Sequence, residues 1–216
     1  MFAREHDFDS AVQAAALDTG VEPALLKAVI GHESQFNPAA TRQEPAIGDQ
    51  SVGLMQVLYA TAQAHGYQGP VGSPSSLTGL YDPPTNILYG ARELASRLAQ
   101  TSSVASAVSA YNGGYRPALG FGKPAMTPLT VCLARDQATG KCIQTRNVNP
   151  GEYANQPYVD DVLRLLTYFR QSGQSPPADS SAAPLTAPHT AGPGGWIIGG
   201  VVVLLGALAF LFRRSK

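Results

Sequence analysis

Apolar residues recur at helical spacing along much of the first 170 residues of this chain, in stretches separated by Gly, Pro and polar residues. The stretches predicted as helices are residues 11–18, 24–33, 61–65, 86–98, 104–110 and 158–169. Ser10 is suited to cap the first helix and Gly20 to end it, whereas Pro23 suits the first turn of the second. Residues 39–52 and 67–83 are polar or rich in Gly and Pro, which predicts loops. The pattern therefore predicts a mainly α-helical domain.

The two cysteines, Cys132 and Cys142, flank a segment that contains Asp136 and Gly140, so this segment is predicted to form a β-hairpin. It is the one small β element expected in the domain. The spacing favours a disulfide, which would indicate an oxidising compartment. Two free thiols are the alternative. A metal pair is a further alternative, but the sequence contains no other Cys, and no His is nearby.

The composition changes after residue 170. The next 25 residues hold five Pro and little that could pack, which indicates a disordered linker. The following 17 residues carry no charge, and this is roughly the shortest length that spans a membrane. A buried core helix is the alternative, but the linker separates this segment from any core. The predicted organisation is a domain at residues 1–170, a linker at 171–195, a transmembrane helix at 196–212 and a basic tail at 213–216.

The charge pattern bears on location and partners. Basic residues follow the apolar span, so the positive-inside rule places the tail in the cytoplasm and the domain outside it. Residues 1–8 are charged and contain no apolar run, so they do not indicate a secretory signal peptide. The formal net charge of zero offers no electrostatic case for binding nucleic acid.

Glu33 is the candidate for chemistry, because it lies near the end of a mostly apolar helix. A carboxylate is costly to bury in its charged form, so burial would raise its pKa toward the range useful for a general acid. The alternative, taken from this residue alone, is a solvated side chain in the last helical turn.

Several short motifs occur in a characteristic order. They are HESQFNP at 32–38, SVGLMQ at 51–56, DPPTNILYGAREL at 82–94, SAYNGG at 109–114 and the dipeptide Tyr158-Val159. Together they resemble the soluble lytic transglycosylase family of peptidoglycan-cleaving enzymes over most of residues 10–170. The resemblance implies a fold like that of goose-type lysozyme, with a cleft for glycan strands.

The resemblance also implies roles for particular residues. Glu33 matches the catalytic acid/base, which protonates the oxygen between N-acetylmuramic acid and N-acetylglucosamine and then helps to form a 1,6-anhydro product. No metal or organic cofactor is required. The implied substrate-binding residues are Ser51, Met55, Gln56, Tyr111, Asn112 and Tyr158. Tyr158 matches a tyrosine whose hydroxyl orients the catalytic carboxyl, and Met55 matches an apolar wall of the cleft or ordinary core. For the polar residues, structural hydrogen bonding is the alternative.

The chain departs from the family pattern at two positions. Tyr59 stands where the family usually has Pro, and Ala154 stands where an acidic residue is common, with Glu152 two residues earlier.

Other functions remain open at this stage. A hydrolase on the same fold would need a second carboxylate to activate water, and Glu44 and Asp49 are the convenient candidates. A non-catalytic wall-binding protein is a further alternative. The expected partners are peptidoglycan and a lipid membrane, either the bacterial inner membrane or the membrane of a virion.

Overall fold

The computed structural model describes residues 2–45, 47–136 and 139–173. The helices in this part of the chain are α1 (Asp9–Thr19), α2 (Pro23–Ser34), α3 (Tyr59–Ala64), α4 (Pro83–Gln100), α5 (Val104–Gly113) and α6 (Gln156–Ser172). The strands are β1 (Thr41–Glu44), β2 (Asp49–Val52), β3 (Val57–Leu58), β4 (Leu129–Arg135) and β5 (Cys142–Val148). Short 3-10 turns lie at Gly79–Tyr81 and Pro117–Leu119. The mainly helical fold matches the prediction.

The first helix begins earlier than predicted. Residues before it already form turns, and Val12 N donates to Phe8 O at 2.9 Å, so α1 starts at Asp9. Ser10 therefore lies inside the helix, and its predicted capping role is wrong. The predicted end is confirmed, because Gly20 adopts the left-handed conformation with φ 74°.

The second helix is the centre of the core. Leu26, Val29 and Ile30 are fully buried, and α2 packs along α6. The helix ends at Ser34, before the Asn37-Pro38 stop, since Gln35 adopts a left-handed conformation with φ 52°. This arrangement leaves the last turn of α2 at the edge of the core.

Residues 41–44 and 49–52 form paired strands where the sequence predicted a loop. Strands β1 and β2 pair antiparallel with Thr41 opposite Val52, and β3 pairs with the other edge of β2. Most of β1 is exposed, so the alternation of apolar residues that usually indicates a strand is absent from its sequence. The described residues thus hold two sheets, and the expectation of one small β element is wrong.

Asn86 joins α4 to the turn between β2 and β3. Its buried side-chain amide donates to the carbonyls of Val52 and Leu80 and accepts from Met55 N, each at 2.8 Å. A Cβ at Gly53 would lie 2.4 Å from this amide, and Gly53 has φ 73°. The turn therefore requires glycine at this position.

The fourth and fifth helices are both longer than predicted. Asp82 caps α4 by accepting from Thr85 N, so the helix starts at Pro83. Helix α5 continues to Gly113 instead of breaking at residue 112, and Gly114, with φ 71°, ends it. Asn112 therefore lies on a helix.

Strands β4 and β5 form a separate two-stranded ribbon, and Cys132 and Cys142 form a disulfide within it. A small apolar cluster supports the base of the ribbon. Its members are Phe121, Ala125, Val131, Val148 and Ala154.

The end of the chain lies outside the described residues. Helix α6 runs to Ser172, two residues past the boundary that the composition suggested. The predicted linker from residue 174 onward, transmembrane helix and basic tail fall among the residues that the structure leaves undescribed. Among residues 2–45, 47–136 and 139–173, no helix has both the length and the apolar character needed to cross a membrane.

Candidate active site

Glu33 lies in the last turn of α2, partly exposed, where the helix reaches the edge of the core. The hydroxyl of Tyr158, near the start of α6, donates to Glu33 Oε1 at 2.8 Å. This contact joins residues that are far apart in sequence because α2 packs against α6. The structure thus brings together the predicted acid and its predicted orienting tyrosine.

Desolvation raises the pKa of Glu33 above its ordinary value. The hydrogen bond from Tyr158 and the charges of His32 and Arg42 act in the opposite direction, while the charge of Glu44 adds to the rise. Burial outweighs the stabilising contacts, so Glu33 holds its proton to a higher pH than an exposed glutamate. A carboxyl group in this state can act as a general acid.

Burial also raises the pKa of Tyr111 and Tyr158 well above the ordinary tyrosine value, and the nearby charge of Glu33 adds to both shifts. Both hydroxyls therefore stay protonated at neutral pH. Tyr158 can act only as the donor in its hydrogen bond with an ionised Glu33.

Glu33 lines a cavity of about 220 Å³ between the β1–β2 hairpin, α4 and α5. Of the other predicted binding residues, four line the same cavity: Ser51, Gln56, Tyr111 and Asn112. Tyr158 lies behind Glu33 and is 8% exposed. Met55 is fully buried, with its side chain against Gly90. This packing favours the alternative that Met55 is an ordinary core residue.

Three of these residues are held by their own hydrogen bonds. The Gln56 amide donates to Gly53 O at 2.9 Å and Ala40 O at 3.2 Å, and Gln56 has φ 47°. The Tyr111 hydroxyl donates to Met55 O at 2.8 Å. Ser51 Oγ donates to Glu44 Oε1 at 3.2 Å. The cleft walls are thus fixed before any substrate arrives.

Asn112 is held from the side of α6. Its Oδ1 accepts from Asn155 Nδ2 at 3.0 Å, and Asn155 also exchanges hydrogen bonds with Ser109. The amide N–H groups of Asn112 have no role in the bond to Asn155, so they can donate toward the cavity.

The two carboxylates suggested for a hydrolase have different surroundings. Asp49 accepts hydrogen bonds from the backbone N–H groups of Tyr59 and Ala60 and so caps α3. Glu44 lines the same cavity as Glu33 and is paired with Arg42 at 2.7 Å. Only Glu44 of this pair contributes to the cavity wall.

Glu93 is a cavity residue that the sequence reasoning missed. It is 9% exposed, and its carboxylate oxygens lie 2.7 Å from His65 Nε2 and 2.6 Å from Arg97 Nε. Glu93 follows Asn86 and Gly90 at helical spacing on the buried face of α4. That placement is the signal that could have identified it.

His32 is a second residue that sequence reasoning missed. Its Nδ1 lies 2.6 Å from Asp161 Oδ2, and its ring stands edge-on to Tyr158 with 4.5 Å between the ring centres. Asp161 is also paired with Arg164. The residue next to the acid therefore packs directly against the tyrosine that holds the acid.

The family model described as the transglycosylase SLT domain matches residues 10–120. Membrane-bound lytic murein transglycosylase C of Pectobacterium atrosepticum is 32% identical over 183 residues, which cover 80% of this chain and 43% of that protein. The protein of the same name from Serratia proteamaculans is 36% identical over 121 residues, which cover 51% of this chain and 32% of that protein.

A solved structure shares the fold. The X-ray structure of an inactive mutant of lytic transglycosylase Slt from Pseudomonas aeruginosa aligns with a TM-score of 0.50 and 21% identity. The alignment covers 79% of this chain and 25% of that chain. The present chain also spans less than half the length of the two curated relatives that it matches.

Proposed function

This chain belongs to the transglycosylase SLT domain family, and from that premise we propose that it is a peptidoglycan lytic transglycosylase. The observation that carries the proposal is Glu33, a desolvated carboxyl group with a raised pKa that faces the cavity and accepts a hydrogen bond from Tyr158. Both of these relatives are named lytic murein transglycosylases, which supports the same reaction.

In the first step Glu33 donates its proton to the oxygen between N-acetylmuramic acid and N-acetylglucosamine. The bond from that oxygen to the anomeric carbon of the muramic sugar breaks, and its electron pair stays with the leaving oxygen. The N-acetyl group of the muramic sugar meets the positive charge that develops on the anomeric carbon. Glu33 becomes a carboxylate, which the hydroxyl of Tyr158 stabilises.

In the second step the Glu33 carboxylate takes the proton of the 6-hydroxyl group on the same sugar. The freed oxygen bonds to the anomeric carbon, so the ring closes to the 1,6-anhydro product without water. Glu33 ends the cycle protonated, so one carboxyl group serves as acid and then as base. The ring of Tyr111 and the amide of Asn112 line the space in which the sugar lies.

Product analysis tests the proposal. Purified peptidoglycan is digested with the wild-type chain and with Glu33→Gln, and the released muropeptides are weighed by mass spectrometry. We expect the wild type to release fragments lighter by one water than hydrolysis products, and Glu33→Gln to be slower by about a thousandfold. Reducing ends from the wild type would contradict the transglycosylase reaction, and full activity of Glu33→Gln would contradict the site.

A second candidate function is hydrolysis, because Glu44 lines the same cavity and its charge raises the pKa of Glu33. In a hydrolase Glu44 would take a proton from the attacking water. The variant Glu44→Gln separates the two reactions. Loss of activity in Glu44→Gln together with reducing ends from the wild type would support hydrolysis, whereas 1,6-anhydro products retained in Glu44→Gln would support the transglycosylase.

We further propose that the enzyme acts from a membrane, on the wall side, and opens the wall locally. The first support is the uncharged segment at residues 196–212, which lies outside the described residues. The second is that both curated relatives are named as membrane-bound. Removing residues 196–216 should move the protein from the membrane fraction to the soluble fraction. Recovery of the protein in purified membrane-bearing virus particles would place it in a virion, and its absence there would favour a cellular role.

A further inference from the structure

Charge is unevenly distributed along the described chain. Residues 2–113 carry ten acidic and five basic residues, whereas residues 114–151 carry five basic residues and one acidic residue. We call residues 114–151 the basic arm; it contains β4, β5 and the segment that leads into them. The basic residues of the arm are Arg116, Lys123, Arg135, Lys141 and Arg146.

Most of these basic side chains face solvent. Arg116, Lys123, Arg135 and Lys141 are exposed, whereas Arg146 is half-buried at the base of the ribbon and paired with Glu152 at 3.5 Å. Arg116 Nε donates to Gly113 O, and Arg135 Nη1 donates to Gly140 O. A guanidinium group has five N–H donors, so both arginines keep donors for a further acceptor. The arm thus presents several positive charges outside the cavity.

The arm is attached to one wall of the cleft. Asn112 lines the cavity and accepts from Asn155, the residue after Ala154. Ala154 is part of the apolar cluster at the base of the arm, and its carbonyl accepts from Arg146 Nη1 at 3.2 Å. Ala154 N also donates to Gly120 O at 2.8 Å. The base of the arm is therefore joined, through Ala154 and Asn155, to the helix that carries Asn112.

From this placement we propose that the basic arm binds the carboxylate groups of the peptide stems on the glycan strand whose sugars occupy the cleft. The inference rests on the proposed function and adds a way in which the substrate would be recognised beside the cleft. Each muramic sugar carries a peptide with free carboxylates, which Lys and Arg bind through charge-assisted hydrogen bonds. Because of the arm, the protein binds glycan strands that carry peptide stems more tightly than strands without them.

An anionic lipid surface is the competing partner, because Leu133 and Ile143 on the ribbon are also exposed. The attachment of the arm beside Asn112 favours the peptide stems, since a ligand in the cleft would then be in reach of the arm. Vesicles therefore enter the test as the alternative.

The test measures binding without cleavage, in the full chain carrying Glu33→Gln and kept in solution with mild detergent. Fluorescence anisotropy reports binding of labelled, uncross-linked glycan strands, either with their peptide stems or stripped of them by an amidase. Lys123→Gln/Lys141→Gln removes two charges from the arm. Arg4→Gln/Arg170→Gln removes two exposed charges elsewhere and is the control.

We expect strands with stems to bind about five times more tightly than stripped strands at low salt, as a few exposed ion pairs allow. Lys123→Gln/Lys141→Gln should remove most of this preference and weaken binding of stripped strands much less, because these keep only one lactyl carboxylate on each muramic sugar. The control variant should keep the preference. Added salt should reduce the preference.

Equal binding of the two strands, or a preference that survives in Lys123→Gln/Lys141→Gln, would overturn the inference. Vesicle flotation is measured without detergent, on the chain lacking residues 196–216. Flotation with phosphatidylglycerol but not phosphatidylcholine vesicles that depends on Lys123 and Lys141, while binding of strands does not depend on them, would also overturn the inference. The proposed function fails separately, through missing 1,6-anhydro products from the wild type.

Discussion

The hydroxyl of Tyr158 lies 2.8 Å from Glu33 Oε1 and donates to it. The hydrogen bond favours the ionised carboxylate and so lowers a pKa that burial raises. Tyr158 therefore keeps Glu33 oriented and limits how strongly it holds its proton. Both effects can be separated experimentally.

Tyr158→Phe should keep the ring packing and lose the hydrogen bond. We expect kcat to fall by about tenfold, the loss of one hydrogen bond to a charged group. Because the pKa of Glu33 then rises, the pH above which activity declines should move upward. The control is Tyr168→Phe, a second substitution on α6, which removes a hydroxyl that donates a hydrogen bond to Glu5. It should leave the pH profile unchanged. A decline at lower pH in Tyr158→Phe would contradict this electrostatic role.

Glu33→Gln should raise the free energy of unfolding at neutral pH. The folded pKa of Glu33 lies above its ordinary value of 4.5, so wild-type stability falls as the pH rises through the folded pKa. The gain in the variant should therefore be present at pH 7 and disappear below pH 4.5, where the glutamate is protonated in both states. Urea unfolding at several pH values measures it.

Glu22→Gln is the control of opposite sign for that experiment. Its hydrogen bond with Arg170 lowers the pKa of Glu22, so the ionised form stabilises the fold above pH 4.5. This variant should be slightly less stable at pH 7, with the difference lost in acid. If both variants changed stability in the same direction, the assigned burial of Glu33 would be wrong.

Asn86→Ala should destabilise the whole domain. It leaves buried backbone groups of Met55, Val52 and Leu80 without their partner, which we expect to cost about 4 kcal/mol. Asn147→Ala, at an exposed ribbon position, should cost less than about 0.5 kcal/mol. Urea unfolding curves give both values. A cost for Asn86→Ala as small as that of the control would show that the hydrogen bonds of Asn86 are not needed for stability.

Replacing both cysteines by serine should loosen the ribbon and leave the cleft intact. The disulfide closes a loop within β4 and β5, which pack on their own apolar cluster, so the effect stays local. We expect faster amide exchange in β4 and β5, because loss of the disulfide should lower the local stability of the ribbon by about 3 kcal/mol. Amide exchange in α2 and cleavage of stripped glycan strands should stay at wild-type levels; a change in either would mean that the ribbon supports the active site.

The main helices could be predicted because their information is local. Helices α4 and α6 bury one face each, so apolar residues recur along them at helical spacing, and α2 is apolar along most of its length. Glu33 could be identified from its helix and the ordered motifs around it. The hairpin of β1 and β2 could not, because its backbone pairing leaves exposed polar side chains with no alternation to detect.

The finer parts of the site depend on tertiary contacts that no local pattern encodes. Glu44 and Asp49 look equivalent in the sequence, yet one lines the cavity and the other caps α3. The pairing of His32 with Asp161 requires α2 and α6 to be packed together. Glu93 lies on a helix whose position was predicted, but its contact with the cavity follows from how α4 is oriented.

The acid and its orienting hydroxyl are separated by 125 residues of chain. During synthesis the ribosome delivers Glu33 early and Tyr158 only when the domain is nearly finished. A nascent or prematurely terminated polypeptide therefore contains the acid without the group that aims it. The hydrogen-bonded pair of Glu33 and Tyr158 can therefore form only after translation has reached α6.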